Sequence, residues 1–304
     1  MKCGTSTLQR ILQAHPQVFI PEREIHFFDI DDIATHPDFN HYRSGRWHSP
    51  LQNSDNSLGW QWYSSLFASA PQAKACGDYS TMYLSSPLAA RRIGALEKEI
   101  KVVVALRHPT ARSYSEYWHL LRSGRATYSF EDTLRFEPRR VLNHSLYLDH
   151  LQTWLQYIPR SRLKVLFFED LLSIPEAVVQ DFCQFLTIDP DALPPESLKK
   201  HENSALTPQF PRMQYWKNRL LRSAGNLRYL NHGPEDNQVA LNTGEFFSRL
   251  LSRAHSVVNP LRQQSPPPIK PETQRHLDNY FQKRLQGIDE LLEIDAMYKW
   301  FPKI

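Results

Sequence analysis

The chain has 304 residues, 41% of them apolar, and a formal net charge of +4. That is enough apolar material for a packed core, and no run approaches the roughly 18 apolar residues of a membrane span. So small an excess of Lys and Arg gives nucleic-acid binding little support, although a basic balance suits small anions.

The chain opens on the loop Lys2-Cys3-Gly4-Thr5-Ser6-Thr7, which runs straight into a helical pattern with Leu8, Ile11 and Leu12 on one face. A glycine loop that opens a helix offers unpaired N–H groups and the positive end of the helix dipole to an anion. Thr5, Ser6 and Thr7 add hydroxyl donors and Lys2 adds a mobile charge, a combination suited to phosphate or sulfate. A Walker loop would place its Lys directly after the second glycine; here Lys2 precedes Gly4 by two residues. The three cysteines, Cys3, Cys76 and Cys183, are scattered and odd in number. They point to a reducing compartment without a disulfide framework, and with no Golgi-type anchor in the sequence a cytoplasmic location is expected if the cell is bacterial. No charged and apolar leader of the secretory kind precedes the first motif.

A short apolar run at 18–20 follows, then a polar turn carrying Glu24 and His26. Residues 29–57 lack a sustained period and read as a loop or lid, with Asp29 placed to face a substrate. Trp47, Trp60 and Trp62 are read as packing residues rather than a sugar-stacking wall. Helical spacing covers 58–70, and 74–80 reads as a strand that ends in polar groups. Ser86 and Pro87 start a helix running to about 96. Residues 100–106 form the best candidate for a buried parallel strand. Arg107 sits at its carboxyl end, where doubly wound folds bind ligands, and Ser115 lies about two turns into the next helix, which Gly124 stops. A short helix at 129–136 has a capping box of Ser129 and Asp132, and another covers 144–157. A second buried strand spans 163–168. Glu169 and Asp170 after it are cap and loop residues, and 175–186 is an amphipathic helix. Signals weaken from 189 to 270, where 212–222 reads as a solvated basic face and 265–271 as a proline-rich connector. A helix at 273–292 carries an apolar stripe of Leu277, Tyr280, Phe281, Leu285 and Ile288. Alternating strands and helices predict an α/β fold with a mainly parallel central sheet flanked by helices in three layers.

Several of these motifs together resemble the sulfotransferases that use 3′-phosphoadenosine-5′-phosphosulfate (PAPS). The Lys-x-Gly-Thr-Ser-x-Leu loop, His15-Pro16, Val18, Pro21, Arg23-Glu24 and His26-Phe27-Phe28 follow that pattern in order. Gly77, Asp78, Ser80, Tyr83 and Leu84 match a further element loosely, with Tyr79 where the heparan-type branch often has lysine. Arg107, Pro109 and Ser115 match the family's 3′-phosphate site, with His108 in place of an acidic residue. His201 to Ser204 resembles a family turn, and the Arg-Lys-Gly loop of the cytosolic branch is absent, with Arg212, Lys217 or Arg219 as possible substitutes. The likeness is to the carbohydrate and bacterial type rather than the cytosolic aryl type.

The resemblance implies a P-loop-like fold in which Lys2, Cys3, Gly4, Thr5, Ser6 and Thr7 hold the phosphosulfate and Arg107 and Ser115 the 3′-phosphate. It makes Lys2 catalytic by charge neutralisation and Glu24 the general base, with His26 as the competing base. No metal is expected, since no His/Cys spacing supports one. The implied acceptor carries a hydroxyl, less readily an amine, and is a glycan or glycolipid. A strand of the type apolar-apolar-apolar-Gly-Ala is implied before Met1, so the start is read as truncated. The expected division is a nucleotide-binding core at 1–190, a variable region at 191–270 and a closing helix at 271–304, all in one domain. Two other readings are weighed: a P-loop kinase or NTPase, which would need a Walker lysine and an acidic Mg²⁺ ligand, and a degenerate nucleotide-binding module without activity.

Overall fold

A computed structural model describes residues 2–37, 39–43, 45–48, 56–70, 73–199, 206–221 and 243–302. Helix α1 (Thr5–Gln13) follows Gly4 directly and buries Leu8, Ile11 and Leu12, the face that the spacing predicts. Strand β1 (Val18–Phe19) comes next, then an antiparallel hairpin of β2 (His41–Arg43) and β3 (Arg46–His48) inside the stretch expected to be irregular. Helix α2 (Asn56–Ser65) leads to β4 (Ala75–Cys76), which pairs in parallel with β1. Helix α3 (Pro87–Gly94) is capped by the Ser86 hydroxyl, which accepts from the Ala89 amide, and Pro87 fills the first turn.

The β-branched run becomes β5 (Val102–Leu106) and feeds the long helix α4 (Pro109–Arg122). Helices α5 (Phe130–Phe136), α6 (Arg139–Leu142) and α7 (Tyr147–Leu155) lead to β6 (Leu163–Phe167), which lies parallel to β5 in register from Val102↔Leu163 to Leu106↔Phe167. Helices α8 (Phe168–Ser173) and α9 (Pro175–Leu186) follow. Then β7 (Leu206–Pro208), α10 (Pro211–Leu220), α11 (Thr243–Val258) and β8 (Leu261–Gln263) form an excursion whose ends meet, since β7 and β8 pair antiparallel. The Gln209 amide bonds the Pro260 carbonyl, and the Asn259 side chain brackets Phe210 through both its amide and its carbonyl. The expected turn at His201 to Ser204 lies outside the described residues.

The predicted helix at 273–292 is two, α12 (Pro271–Arg284) and α13 (Ile288–Leu292), because Gly287 adopts φ +94° and breaks the ladder. Helix α14 (Ala296–Trp300) closes the chain. Both strand–helix–strand units are parallel, as the α/β reading requires. The central sheet is represented among the described residues by two separate parallel pairs, β1–β4 and β5–β6, rather than one continuous ladder.

Two apolar clusters flank these pairs. One joins α1 to β6, α8 and α9 through Leu8, Ile11, Leu12, Leu166, Val179 and Phe182. The other joins α3, α4, α7 and the carboxyl-terminal helices through Ile93, Leu121, Leu151, Phe281, Leu285 and Trp300. At the side of the second lies a buried polar knot. Arg112 bonds Glu116, Ser145 and the Val141 carbonyl, and all three side chains are buried. A buried guanidinium is tolerable only with such partners.

Candidate active site

Gly4 sits at the N-cap of α1 with φ +75°, and no side chain caps the helix. The amides of the first turn have no acceptor within the helix itself and suit an external anion. A glycine is required here twice over. Its φ is left-handed, and a Cβ would lie 2.6 Å from Cδ2 of Phe168. Lys2 is also left-handed, at φ +67°, and Cys3 between them is buried.

Arg107 reaches this loop from the end of β5. Its guanidinium donates to the Lys2 carbonyl at 3.3 Å and lies over the Phe168 ring, 4.7 Å from its centroid. Burial and the nearby Arg122 and Arg107 charges lower the Lys2 ammonium to about 8, against the opposing pull of Glu116. The two cations that sequence spacing places a hundred residues apart are therefore neighbours around one small region. The loop between β5 and α4 is itself anchored: the His108 amide donates to Glu169 at 2.9 Å, and the Arg107 carbonyl accepts from the Tyr147 hydroxyl at 2.8 Å. Glu169 thus serves the scaffold, as does Asp170, which pairs with Lys299 at 2.5 Å. Ser115 lies half-buried on α4, two turns beyond Arg107.

Further along α4, His119 and Arg122 extend this basic surface. The Arg122 guanidinium is 3.3 Å from Nδ1 of His119, and that of Arg125 is 2.9 Å from Nε2. Burial together with the charges of Arg125, Lys2 and Arg122 holds the imidazole down to about 3, so it is neutral. Positive charge is concentrated here beyond what the local carboxylates balance, because Glu116 is committed to Arg112 and His144. A site of this kind favours a multiply charged anion.

Oε2 of Glu24 and Nε2 of His26 lie 3.0 Å apart, within hydrogen-bonding distance. Their exposures separate their roles: the His26 side chain is 7% exposed and that of Glu24 is 32%. Burial opposes ionisation of Glu24, but the His26 hydrogen bond and charge and the Thr81 hydroxyl outweigh it and hold the carboxyl at about 2. Glu24 is therefore an ionised acceptor open to solvent, with His26 behind it.

Asp29 does not face a substrate. It is fully buried and hydrogen-bonds the His36 ring at 2.9 Å, because the chain turns inward after Phe28 and hydrogen bonds from the Asp29 and Ile30 amides to the His26 carbonyl close the turn. His26, Asp29 and His36 bring ligand-type atoms within 4.8 Å of one another, the one such group among the described residues. Spacing gives no hint of it. Each imidazole is already engaged with a carboxylate, Glu24 or Asp29, and packs on Phe39. The packing expectation fits Trp62 and, in part, Trp60, which lies against Phe27 but is itself exposed, whereas Trp47 is exposed beside Tyr42. Arg219 is exposed over Trp216 and Tyr128, as a solvated basic face predicts.

Residues 78–81, which follow β4, link the two halves of the site. Spacing alone does not reveal this. Tyr79 places its hydroxyl 3.0 Å from Ser6 Oγ and 3.3 Å from Thr5 Oγ1, on the anion loop. Thr81 donates to Glu24 at 2.8 Å. One short segment touches both the loop and the carboxylate.

Mouse heparan sulfate glucosamine 3-O-sulfotransferase 5 is 25% identical over 201 residues, 62% of this chain and 51% of its own length. Mouse heparan sulfate glucosamine 3-O-sulfotransferase 3A1 is 29% identical over 192 residues, 60% of this chain and 43% of its own. The chain thus spans about half the length, or less, of these curated relatives. The crystal structure of a sulfotransferase from Alicyclobacillus acidocaldarius shares the fold, with a TM-score of 0.62 at 24% identity over 98% of this chain and 94% of that one. A profile of the sulfotransferase family matches residues 1–192, a stretch that contains the anion loop, the Glu24–His26 pair and Arg107, and by that match the chain belongs to the sulfotransferase family.

Proposed function

We propose that this chain moves a sulfuryl group from PAPS to a hydroxyl of an acceptor, and that the acceptor is a carbohydrate or glycolipid. The observation that carries the reading is the meeting of Lys2 and Arg107, which supplies two cationic grips for one doubly anionic adenosine donor. The Cys3 to Thr7 amides and hydroxyls hold the phosphosulfate, and Arg107 with Ser115 takes the 3′-phosphate. The named activities of the curated relatives, which act on heparan sulfate, support a glycan acceptor.

Glu24 takes the proton of the attacking hydroxyl as its oxygen bonds to sulfur. The sulfur–oxygen bond to the donor's 5′-phosphate breaks, and its electron pair leaves with the phosphate, where Lys2 neutralises the new charge. Chemistry of this kind depends on alignment and charge stabilisation more than on covalent help from the protein. Glu24 is preferred over His26 because it is the more exposed partner; His26 orients it through their 3.0 Å contact. The whole chain serves one unit in this reading: residues 1–190 hold the donor, 191–270 vary, and 271–304 return to the core through Leu277 and Phe281. Cys3, Cys76 and Cys183 stand as thiols, which supports a reducing, cytoplasmic setting, and among the described residues no helix is long and apolar enough to cross a membrane.

The test is transfer of label from ³⁵S-PAPS across a panel of glycans, glycolipids, phenols and polyketide alcohols, with calorimetry of adenosine 3′,5′-bisphosphate alongside. Labelled glycan is the expected product. Tight bisphosphate binding without transfer to any acceptor would leave a nucleotide-binding module, and Mg²⁺-dependent ATP turnover would replace the reading with a kinase.

A further inference from the structure

The Glu24–His26 pair does not hold its own shape. His26 has φ +58°, a left-handed conformation that is uncommon for residues other than glycine. Something outside the turn must maintain it. The Ile25 and His26 amides, consecutive donors, both point at a single atom, Oγ of Ser80, at 3.2 and 2.9 Å. Successive N–H groups around a left-handed residue form a concavity that binds a negative atom, and here a hydroxyl oxygen fills it.

Ser80 is made suitable by what lies behind it. Its hydroxyl donates to Oδ1 of Asp78 at 2.6 Å. A serine hydroxyl has one proton and two lone pairs, so all three positions are used and one rotamer is fixed. Donation to a carboxylate also makes the oxygen a stronger acceptor for the two amides. Asp78 in turn accepts from Tyr83 at 2.8 Å and Tyr63 at 3.4 Å. Burial pushes its carboxyl upward, against the pull of these three hydroxyls. The next residue after Ser80 completes the arrangement, since Thr81 Oγ1 donates to the same Glu24 oxygen that His26 holds.

We propose that Ser80, backed by Asp78, is a positioning residue that fixes the left-handed turn at His26 and thereby aims Glu24 at the acceptor hydroxyl. The inference rests on the reading of Glu24 as general base. Between Asp78 and Ser80, Tyr79 is the residue that hydrogen-bonds the donor loop. Removing the Ser80 hydroxyl therefore disturbs the carboxylate side of the site and leaves the anion side in place.

The test compares Ser80→Ala, Ser80→Thr and Asp78→Asn in the full chain. Ser80→Ala is expected to lower kcat about 10- to 100-fold, with the Kd for adenosine 3′,5′-bisphosphate changed less than about twofold. Ser80→Thr, which keeps the hydroxyl, restores most of the rate, and Asp78→Asn falls between. A second readout needs no turnover: ¹⁵N shifts of the His26 ring at neutral pH report its bond to Glu24, and Ser80→Ala should move them while Ser80→Thr does not. Unchanged His26 shifts in Ser80→Ala overturn the proposal whether or not the chain transfers sulfate. So do equal losses of rate and bisphosphate binding, or failure of threonine to rescue. Moved His26 shifts in Ser80→Ala, beside a wild type that transfers nothing, would uphold the positioning and sink the catalytic reading alone.

Discussion

The Arg107 guanidinium donates to the carbonyl of Lys2, a residue 105 positions earlier in the chain, at 3.3 Å. One bond thus joins the strand end that carries a fixed cation to the loop that carries a mobile one, and any anion held by both must lie across it. Arg107→Ala is expected to weaken adenosine 3′,5′-bisphosphate binding by about 10- to 100-fold, the worth of one or two charge-assisted hydrogen bonds. Arg107→Lys should recover only part, since an ammonium lacks the planar fork. Calorimetry checks both, and an unchanged Kd in Arg107→Ala would remove it from the donor site.

Lys2, lowered to about 8 by burial and its cationic neighbours, gives binding a pH dependence of definite sign. Above that value the free protein loses a proton that the anion-bound form retains, so affinity for the bisphosphate falls by up to about tenfold per pH unit. Below it, affinity is flat. Lys2→Arg should abolish the alkaline decline between about pH 7 and 9.5, and Lys2→Ala should reduce turnover more than bisphosphate binding.

Gly4→Ala meets both a left-handed φ and the Phe168 ring. Backbone strain of this kind costs about 1–3 kcal/mol, and the clash adds to it. The loop is expected to rearrange, with bisphosphate binding lost while the thermal midpoint of the chain falls by only a few degrees. Phe168→Leu in the same background should partly restore binding if the ring is the obstacle.

Glu24→Gln keeps the size of the side chain and removes its charge. Transfer should fall by about 10²- to 10⁴-fold, the usual contribution of a positioned general base, with bisphosphate affinity within about twofold of wild type. A parallel fall in both would assign Glu24 to the fold instead.

His119, held at about 3 between two guanidiniums, makes the chain sensitive to mild acid. Between that value and the ordinary histidine value of about 6.5, the unfolded chain binds a proton that the native one refuses, so stability rises with pH in this window and falls on acidification. The loss reaches at most about 1.4 kcal/mol per pH unit for this one group. Urea titrations at about pH 7, 6 and 5 should show a shallower decline for His119→Gln than for wild type. Equal slopes would mean that the imidazole charges without cost.

Much of this architecture is legible in local sequence. The anion loop needs only a glycine ahead of a helix, and β5 and β6 announce themselves as β-branched runs of strand length. Ser86 and Ser129 cap helices as their positions predict. What local pattern misses is non-local. Asp29 reads as outward-facing because polarity in a loop usually means solvent, whereas a histidine seven residues on draws it inside. Gly287 splits one predicted helix, and the break is masked because the apolar stripe continues through it. The bridging role of residues 78–81 has no signature in spacing, since it depends on β4 bringing that segment beside both Ser6 and Glu24.

The pairing of β7 with β8, reinforced by Asn259 on Phe210, has a further consequence. The chain departs and returns through adjacent backbone positions, so the stretch between them is closed off like the neck of a purse. Doubling the length of such a stretch adds only about 0.6 kcal/mol of closure entropy. Helix α10 inside it is nonetheless tied down, since the buried Asn218 side chain donates to the carbonyls of Leu121 and Ala126, so changes of length are expected to be tolerated best after Leu220.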